Sequence, residues 1–287
     1  MTQAQNDFDR VLTAYRSDTF RTARGKRVVS LEGAIDFVNQ RGFITFWPIK
    51  NVDLPSLWTA VAGERVVAEE HDDPGHVTWG WKDQMLDQKV WYYGKLLRGK
   101  ATMVSLDVIP FFYALSPRVA DLDDFRLEYE AGRLTRPALD VAEVLLINGP
   151  THSIELRQLA RLSGKSSKYP FERALVVLQR GLWILPVGVA EAGGWRYSFV
   201  YELFDRWYPQ VWQAARGIAT NDARCKLAEL YLRSVGATET ARIQRLFGWT
   251  KEATSMCLNE LEGIGLIDQL EDGRWITAQL RPTAGDS

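Results

Sequence analysis

The chain is poor in sulfur and in imidazole, with two Cys, four Met and three His in 287 residues. Cys225 and Cys257 have neither a metal-ligand spacing nor the dense, even pattern of a disulfide framework, which excludes a thiolate zinc site and a stapled fold. They read as buried thiols of a reducing compartment, and a cytoplasmic protein is expected. Net charge is also missing. Lys plus Arg number 35 against 36 Asp plus Glu, a net of -1, so any hold on phosphate has to come from a local patch rather than from the field of the whole chain. No uninterrupted apolar run approaches the roughly 18–20 residues that span a bilayer, and Met1 to Arg10 is polar and acidic rather than basic then apolar, so no membrane is expected as a partner. A Gly-rich phosphate loop, a nucleophile elbow and Ser/His/Asp or Cys/His arrangements are absent too; no cofactor is expected.

What the chain has in excess is tryptophan. Eleven are present, and Trp47, Trp58, Trp79, Trp81 and Trp91 fall close together. With 46% hydrophobic and 25% charged residues, the chain should fold into two or three small domains. Ser30 to Arg41 carries Leu31, Ala34, Ile35 and Val38 at helical spacing, with Ser30 as cap and Gly42 as stop. Phe43 to Trp47 reads as a strand closed by Pro48, and Leu54 to Ala62 as a helix with Pro55 in its first turn. After the polar loop Glu64 to Gly75, Thr78 to Leu97 has apolar residues at roughly helical intervals. Lys100 to Val108 reads as a strand and Asp121 to Gly132 as a charged helix. Arg133 to Pro137 is a plausible linker.

Beyond it one pattern occurs twice. In the first copy Leu139 to Ile147 is an apolar helix ended by Asn148-Gly149-Pro150. Ser153 is expected to cap Ile154 to Leu162, whose buried face is Ile154, Leu156, Leu159, Ala160 and Leu162. Tyr169 to Arg180 is a third helix, and Trp183 to Val187 and Trp195 to Val200 are strands about the turn Glu191 to Gly194. In the second copy Ala223 to Leu232 is the first helix and Thr238 is expected to cap Glu239 to Phe247. Thr250 caps a third helix with Ala253, Met256, Cys257, Leu258 and Leu261 on its apolar face. Leu266 to Leu270 and Trp275 to Ala278 are strands joined through Asp272-Gly273, a pair suited to a hairpin turn. Three helices and a hairpin make a winged helix. The expectation is an α+β, mainly α fold: a Trp-rich helical module at 1–135, itself winged-helix-like, then winged helices at 136–210 and 220–282.

The third helix of a helix-turn-helix enters the major groove, so its exposed residues carry the binding signal. In the first copy Lys165, Ser166, Ser167, Lys168, Tyr169 and Arg173 put cations and hydroxyls at a helix N-terminus, where phosphate is attracted; a solvated turn explains them equally well. The third helix of the second copy has Lys251 and Glu252 at its start, then Asn259, Glu260 and Glu262, a carboxylate-rich face that repels phosphate and suits a packing or protein-contact unit. Basic residues also gather at Arg21, Arg24, Lys26 and Arg27 and at Lys95, Arg98 and Lys100. In the N-terminal half, His71 and His76 among Glu69, Glu70, Asp72 and Asp73 lack the spacing that fixes a metal geometry, and no metal site is assigned. Trp79 and Trp81 follow that loop with Lys82 and Asp83 beside them, an arrangement suited to a flat ring held by stacking and hydrogen bonds; with Trp47 they are the candidate base-stacking residues. Core filling accounts for most of the remaining aromatics.

Two stretches carry a family resemblance: Gly42-Phe43-Ile44-Thr45-Phe46-Trp47-Pro48 and His71-Asp72-Asp73-Pro74-Gly75-His76-Val77-Thr78-Trp79-Gly80-Trp81-Lys82-Asp83. From about Val28 to Leu280 the chain resembles the winged-helix DNA glycosylases of interstrand-crosslink repair, the AlkZ/YcaQ group, and more closely the divergent AlkZ-related proteins. The resemblance implies tandem winged helices that hold duplex DNA, damaged DNA included, and a Gln-x-Gln or Gln-x-Asp motif that orients a water. The matching segment, Gly42 to Pro48, contains neither Gln nor Asp, and Gln40 lies upstream on the helix. The sequence therefore points first to a DNA-binding protein of repair. The second reading is a glycosylase acting on alkylated or crosslinked bases through another carboxylate, with Asp83, Asp53 and Asp73 as candidates. A protein-interaction or regulatory module is the third.

Overall fold

Helix ends in this chain are written by caps and glycines. In the computed structural model, which describes residues 3–281 other than His71 and Trp195, with side chains from Asp7 onward, Ser30 accepts from the Gly33 N–H ahead of the helix Leu31–Arg41. Thr250 does the same for Ala253 ahead of Lys251–Gly263. At the other ends Gly42, Gly149 and Gly236 take φ of 80°, 76° and 77° and close their helices with N–H bonds back to Val38, Leu145 and Leu232. Only glycine adopts that backbone without steric cost.

The chain divides into two compact units, Met1–Trp79 with Met103–Ser105 and Ala219–Ser287, and Gly80–Thr102 with Leu106–Ile218. In the second unit the helix Arg136–Asn148 is followed by the strand Thr151–His152, the helices Ser153–Leu159 and Lys168–Arg180, and the strands Ile184–Ala190 and Ser198–Leu203. The last strand is central in a three-stranded antiparallel sheet, with Thr151 opposite Tyr201 and Ile184 opposite Leu203. Val141, Ala142, Leu145, Leu156, Leu178 and Ile184 form its dry core. In the first unit the same order recurs as Thr220–Val235, Ala237–Thr238, Thr240–Phe247, Lys251–Gly263, Ile267–Gln269 and Trp275–Thr277. Its sheet is again antiparallel, Thr238 opposite Trp275 and Ile267 opposite Thr277. Here the N-terminal helix Gln3–Thr19 packs Leu12 against Ala237 and Ile276. The strand Phe43–Thr45 lies in the same unit, where the Ser105 N–H donates to the Gly42 carbonyl at 2.8 Å. The whole is mainly helical α+β with three small sheets. Among the described residues no helix is long and apolar enough to cross a membrane.

Several local expectations are corrected. Thr78 to Leu97 is not one helix: Val77–Met85 is helical and Tyr92–Lys95 is a strand. Lys89 at φ 53° breaks the backbone between them, and the aromatic run after it favours a pleated surface. The return strand of the first copy is Ser198–Leu203, three residues later than expected; Trp195 lies outside the described residues. Ser153 and Thr238 are not caps. His152 occupies the first N-cap position and accepts from Glu155 N–H, and Glu239 occupies the second, while Thr238 is used in a strand. Three residues assigned to buried faces are exposed, Ile154 at 38%, Leu159 at 46% and Met256 at 53%. Ile154 lies over the hairpin turn, where a side chain on Gly193 would collide with its Cδ1.

Candidate functional site

The first unit contains a cavity of about 480 Å³ lined by Trp47, Val67, Ala68, Glu69, His76 and Trp79. The loop leading into it is held by ion pairing. Asp73 accepts both guanidinium nitrogens of Arg65, at 2.8 and 2.5 Å, and its Oδ1 also takes the Gly75 N–H at 2.7 Å. This bidentate geometry holds the Asp73 carboxyl below its usual range, the Arg65 hydrogen bond being the largest cause. Arg65 lies 5.0 Å over the Trp58 ring, and Gly75 packs so closely on Trp58 that a Cβ would come within 2.8 Å of it. That contact carries His76 to 5.2 Å from Trp58 and 6.0 Å from Trp79. Trp47, just past the strand Phe43–Thr45, lies 5.7 Å from Trp79 at 36° and stacks on Phe46.

The polar atoms of this wall are informative. His76 Nε2 is 3.0 Å from the Ala68 carbonyl; a carbonyl only accepts, so Nε2 carries the proton and Nδ1 of the neutral ring is an acceptor. His76 Nδ1 and Trp47 Nε1 are both buried with no hydrogen-bond partner among the described residues. Buried polar atoms are ordinarily satisfied. These two atoms lie beneath the accessible surface, and the cavity itself offers two indole rings beside His76, a lining on which a flat heteroaromatic ring can stack. Trp79 is 37% exposed at its mouth. Trp81 is half-buried and does not line it.

Asp83 belongs to a different cluster, in the second unit. Lys82, buried on the helix Val77–Met85, pairs with Asp83 at 2.7 Å and donates to the Tyr197 hydroxyl at 2.9 Å. That hydroxyl donates in turn to Asp83 Oδ1 at 2.9 Å. The amine lies 4.5 Å over the Phe199 ring and 5.5 Å from the Tyr93 ring. Burial pulls the Lys82 ammonium below its ordinary titration range, with Asp83 opposing the shift. The same burial, with the Asp83 charge, raises the Tyr197 phenol.

The other two candidate carboxylates are committed to ion pairs. Asp73 staples the loop. Asp53 pairs with Arg242 at 2.6 Å and Arg16 at 3.5 Å, and all three line a cavity of about 330 Å³. Lys165, Ser166, Lys168, Tyr169 and Arg173 are exposed and Ser167 is half-buried, where a short 3-10 turn, Lys165–Ser167, runs into the helix Lys168–Arg180. Arg173 donates to the Tyr169 hydroxyl at 3.5 Å. Among the described residues no group of His, Cys, Asp and Glu is placed to hold a metal. Sequence reasoning passed over Tyr197, because its partner Lys82 is 115 positions away. In the sequence His76 reads as a metal-ligand candidate, whereas in the structure it stands in an aromatic wall, a place signalled by its position three residues before Trp79.

A family model described as AlkZ related matches residues 28–248, well over half of the chain. The chain is similar in fold to the Streptomyces sahachiroi DNA glycosylase AlkZ, with a TM-score of 0.56 and 13% sequence identity over 93% of this chain and 69% of that one. No curated protein sequence matches.

Proposed function

The chain belongs to the AlkZ-related family, and from that premise we propose that it is a repair protein that binds duplex DNA and receives an extruded base in the cavity lined by Trp47 and Trp79. The observation that carries this reading is the cavity lined by Trp47, His76 and Trp79, an aromatic lining of the kind that stacks on a base. In this reading the repeated folds at 136–210 and 220–282 are winged helices that follow the Trp-rich module at 1–135. Lys165, Ser166, Ser167, Lys168, Tyr169 and Arg173 meet the phosphates and groove edges. The segment Gly42 to Pro48, without Gln or Asp, lacks the water-orienting motif that the resemblance leads one to expect.

A second reading, base excision on alkylated or crosslinked DNA, is favoured by Asp83. Its side chain is 24% exposed and is held by Lys82 and Tyr197, whereas Asp53 and Asp73 are tied to arginines. The test of the first reading is a titration of fully paired duplex and of duplex carrying one mismatched purine, which is cheaper to unstack. Wild type is expected to prefer the mismatch, and Trp79→Ala to weaken binding to it by about 1–3 kcal/mol, the worth of one stacked base. Equal affinity of both proteins for both duplexes removes the pocket reading. Release of an alkylated base by wild type and not by Asp83→Asn supports the second.

A further inference from the structure

Lys82 is costly to bury, and its surroundings are unusual for a lysine that serves only packing. The amine is enclosed by the rings of Phe199, Tyr93 and Tyr197, and it closes a three-membered hydrogen-bond ring with the Asp83 carboxylate and the Tyr197 hydroxyl. The amine is one layer below solvent: the Lys82 side chain is 4% exposed, but Asp83 is 24% and Tyr197 36% exposed. Tyr197, the most exposed of the three rings around the amine, sits where the hairpin turn enters the strand Ser198–Leu203. Desolvation favours the neutral, nucleophilic form. The adjacent carboxylate and phenol supply a proton acceptor and a hydrogen-bond donor.

We propose that Lys82 is a reactive amine that condenses with the aldehyde of an abasic deoxyribose, Asp83 and Tyr197 serving the proton transfers. This rests on the reading of the chain as a DNA repair protein. In the first step neutral Nζ adds to C1′ of the open-chain sugar, and the carbonyl oxygen leaves as water, giving a C=N iminium. Asp83 then takes a proton from C2′. The C2′–H electron pair forms the C2′=C3′ double bond, and the C3′–O bond breaks with its pair leaving on the phosphate. Water hydrolyses the imine, returning the amine and an unsaturated aldehyde on the cleaved strand. No oxidant or reductant is consumed.

The experiment incubates the full chain with borohydride and either a duplex containing one abasic site or free 2-deoxyribose 5-phosphate, and maps the reduced secondary amine by peptide mass spectrometry. The expected result is a covalent adduct on Lys82 with both aldehydes, formed faster as pH rises below the ordinary lysine range. Lys82→Arg, which keeps the cation but cannot form an imine, is expected to abolish it. Thermal unfolding of the variant establishes that the fold survives, and should it not, the site mapping on wild type decides by itself. An adduct with the free sugar at Lys82 and none with the duplex keeps the reactive amine and overturns its assignment to abasic DNA together with the DNA reading. No adduct at Lys82 with either aldehyde, or one confined to the N-terminal amine, overturns the proposal.

Discussion

At the scale of single residues, the close approach of Gly75 to Trp58 positions the aromatic wall. A methyl group at position 75 meets the fully buried Trp58 ring at 2.8 and 2.9 Å, and overpacking of this kind costs about 1–3 kcal/mol. Gly75→Ala is therefore expected to lower the midpoint of denaturant unfolding and to weaken mismatch binding, because His76 moves with the turn. An unchanged midpoint would show that Trp58 has room to shift. Lys82 gives a second prediction, with a sign fixed by burial. Its pKa in the folded protein is lowered, so the unfolded chain binds more protons between that value and the ordinary lysine value. Stability contributed at this position therefore rises with pH through that window. Against Lys82→Met, which has no charge to bury, wild type should lag most below the window and recover as pH climbs through it. A gap that widens with pH contradicts the assignment. Cys225 and Cys257 are free and buried, as their helical settings suggested, and burial pushes their thiols up to about 12 and about 11.

At the scale of elements, a buried network fastens the end of the second unit's sheet. Arg118, 2% exposed, donates to Asp124 at 2.9 Å and also to Asp205. Tyr113 reaches Asp205 at 3.0 Å, and Trp183 reaches Asp124 at 2.8 Å. Removing Arg118 from this network leaves two buried carboxylates without their cation, so Arg118→Leu is expected to cost about 3–5 kcal/mol in chemical denaturation. A loss below about 1 kcal/mol would mean that the carboxylates find water. The caps are smaller contributors: Thr250→Ala removes the acceptor for Ala253 N–H and is expected to cost about 1 kcal/mol. Much of this architecture was legible in the sequence. Ser30, Gly42, Gly149 and Thr250 announce helix ends by local chemistry, and the repeated order of helix, helix, helix and hairpin follows from it. What was not legible is non-local. Thr151–His152 and Ala237–Thr238 are two residues long and are strands only because Tyr201 and Ile276 lie opposite them. The Lys82 cluster depends on that same distant pairing, which brings Tyr197 and Phe199 to it. In the pocket, Trp79 stands out because it follows directly on a polar loop, but Trp81 follows the same loop and does not line the cavity. Asp73 read as a free carboxylate because no local pattern shows that Arg65 claims both its oxygens.

At the scale of the whole molecule, the near balance of charge makes the account vulnerable in a useful way. A protein with no net field binds duplex only through a built surface, and Lys165, Lys168 and Arg173 are the cations assigned to it. If each neutralises one phosphate, the salt slope is about -2.7, and a rise from about 50 mM to about 200 mM salt weakens binding about 40-fold. Replacing Lys168 with Ala should remove about one third of that slope for every duplex sequence, because phosphate contacts carry no sequence information. Whether this chain holds DNA at all is decided by its equilibrium affinity for duplex DNA at those two salt concentrations. Saturable binding is expected at the lower one and a steep loss at the higher. Absence of binding at about 50 mM salt contradicts the DNA-binding reading.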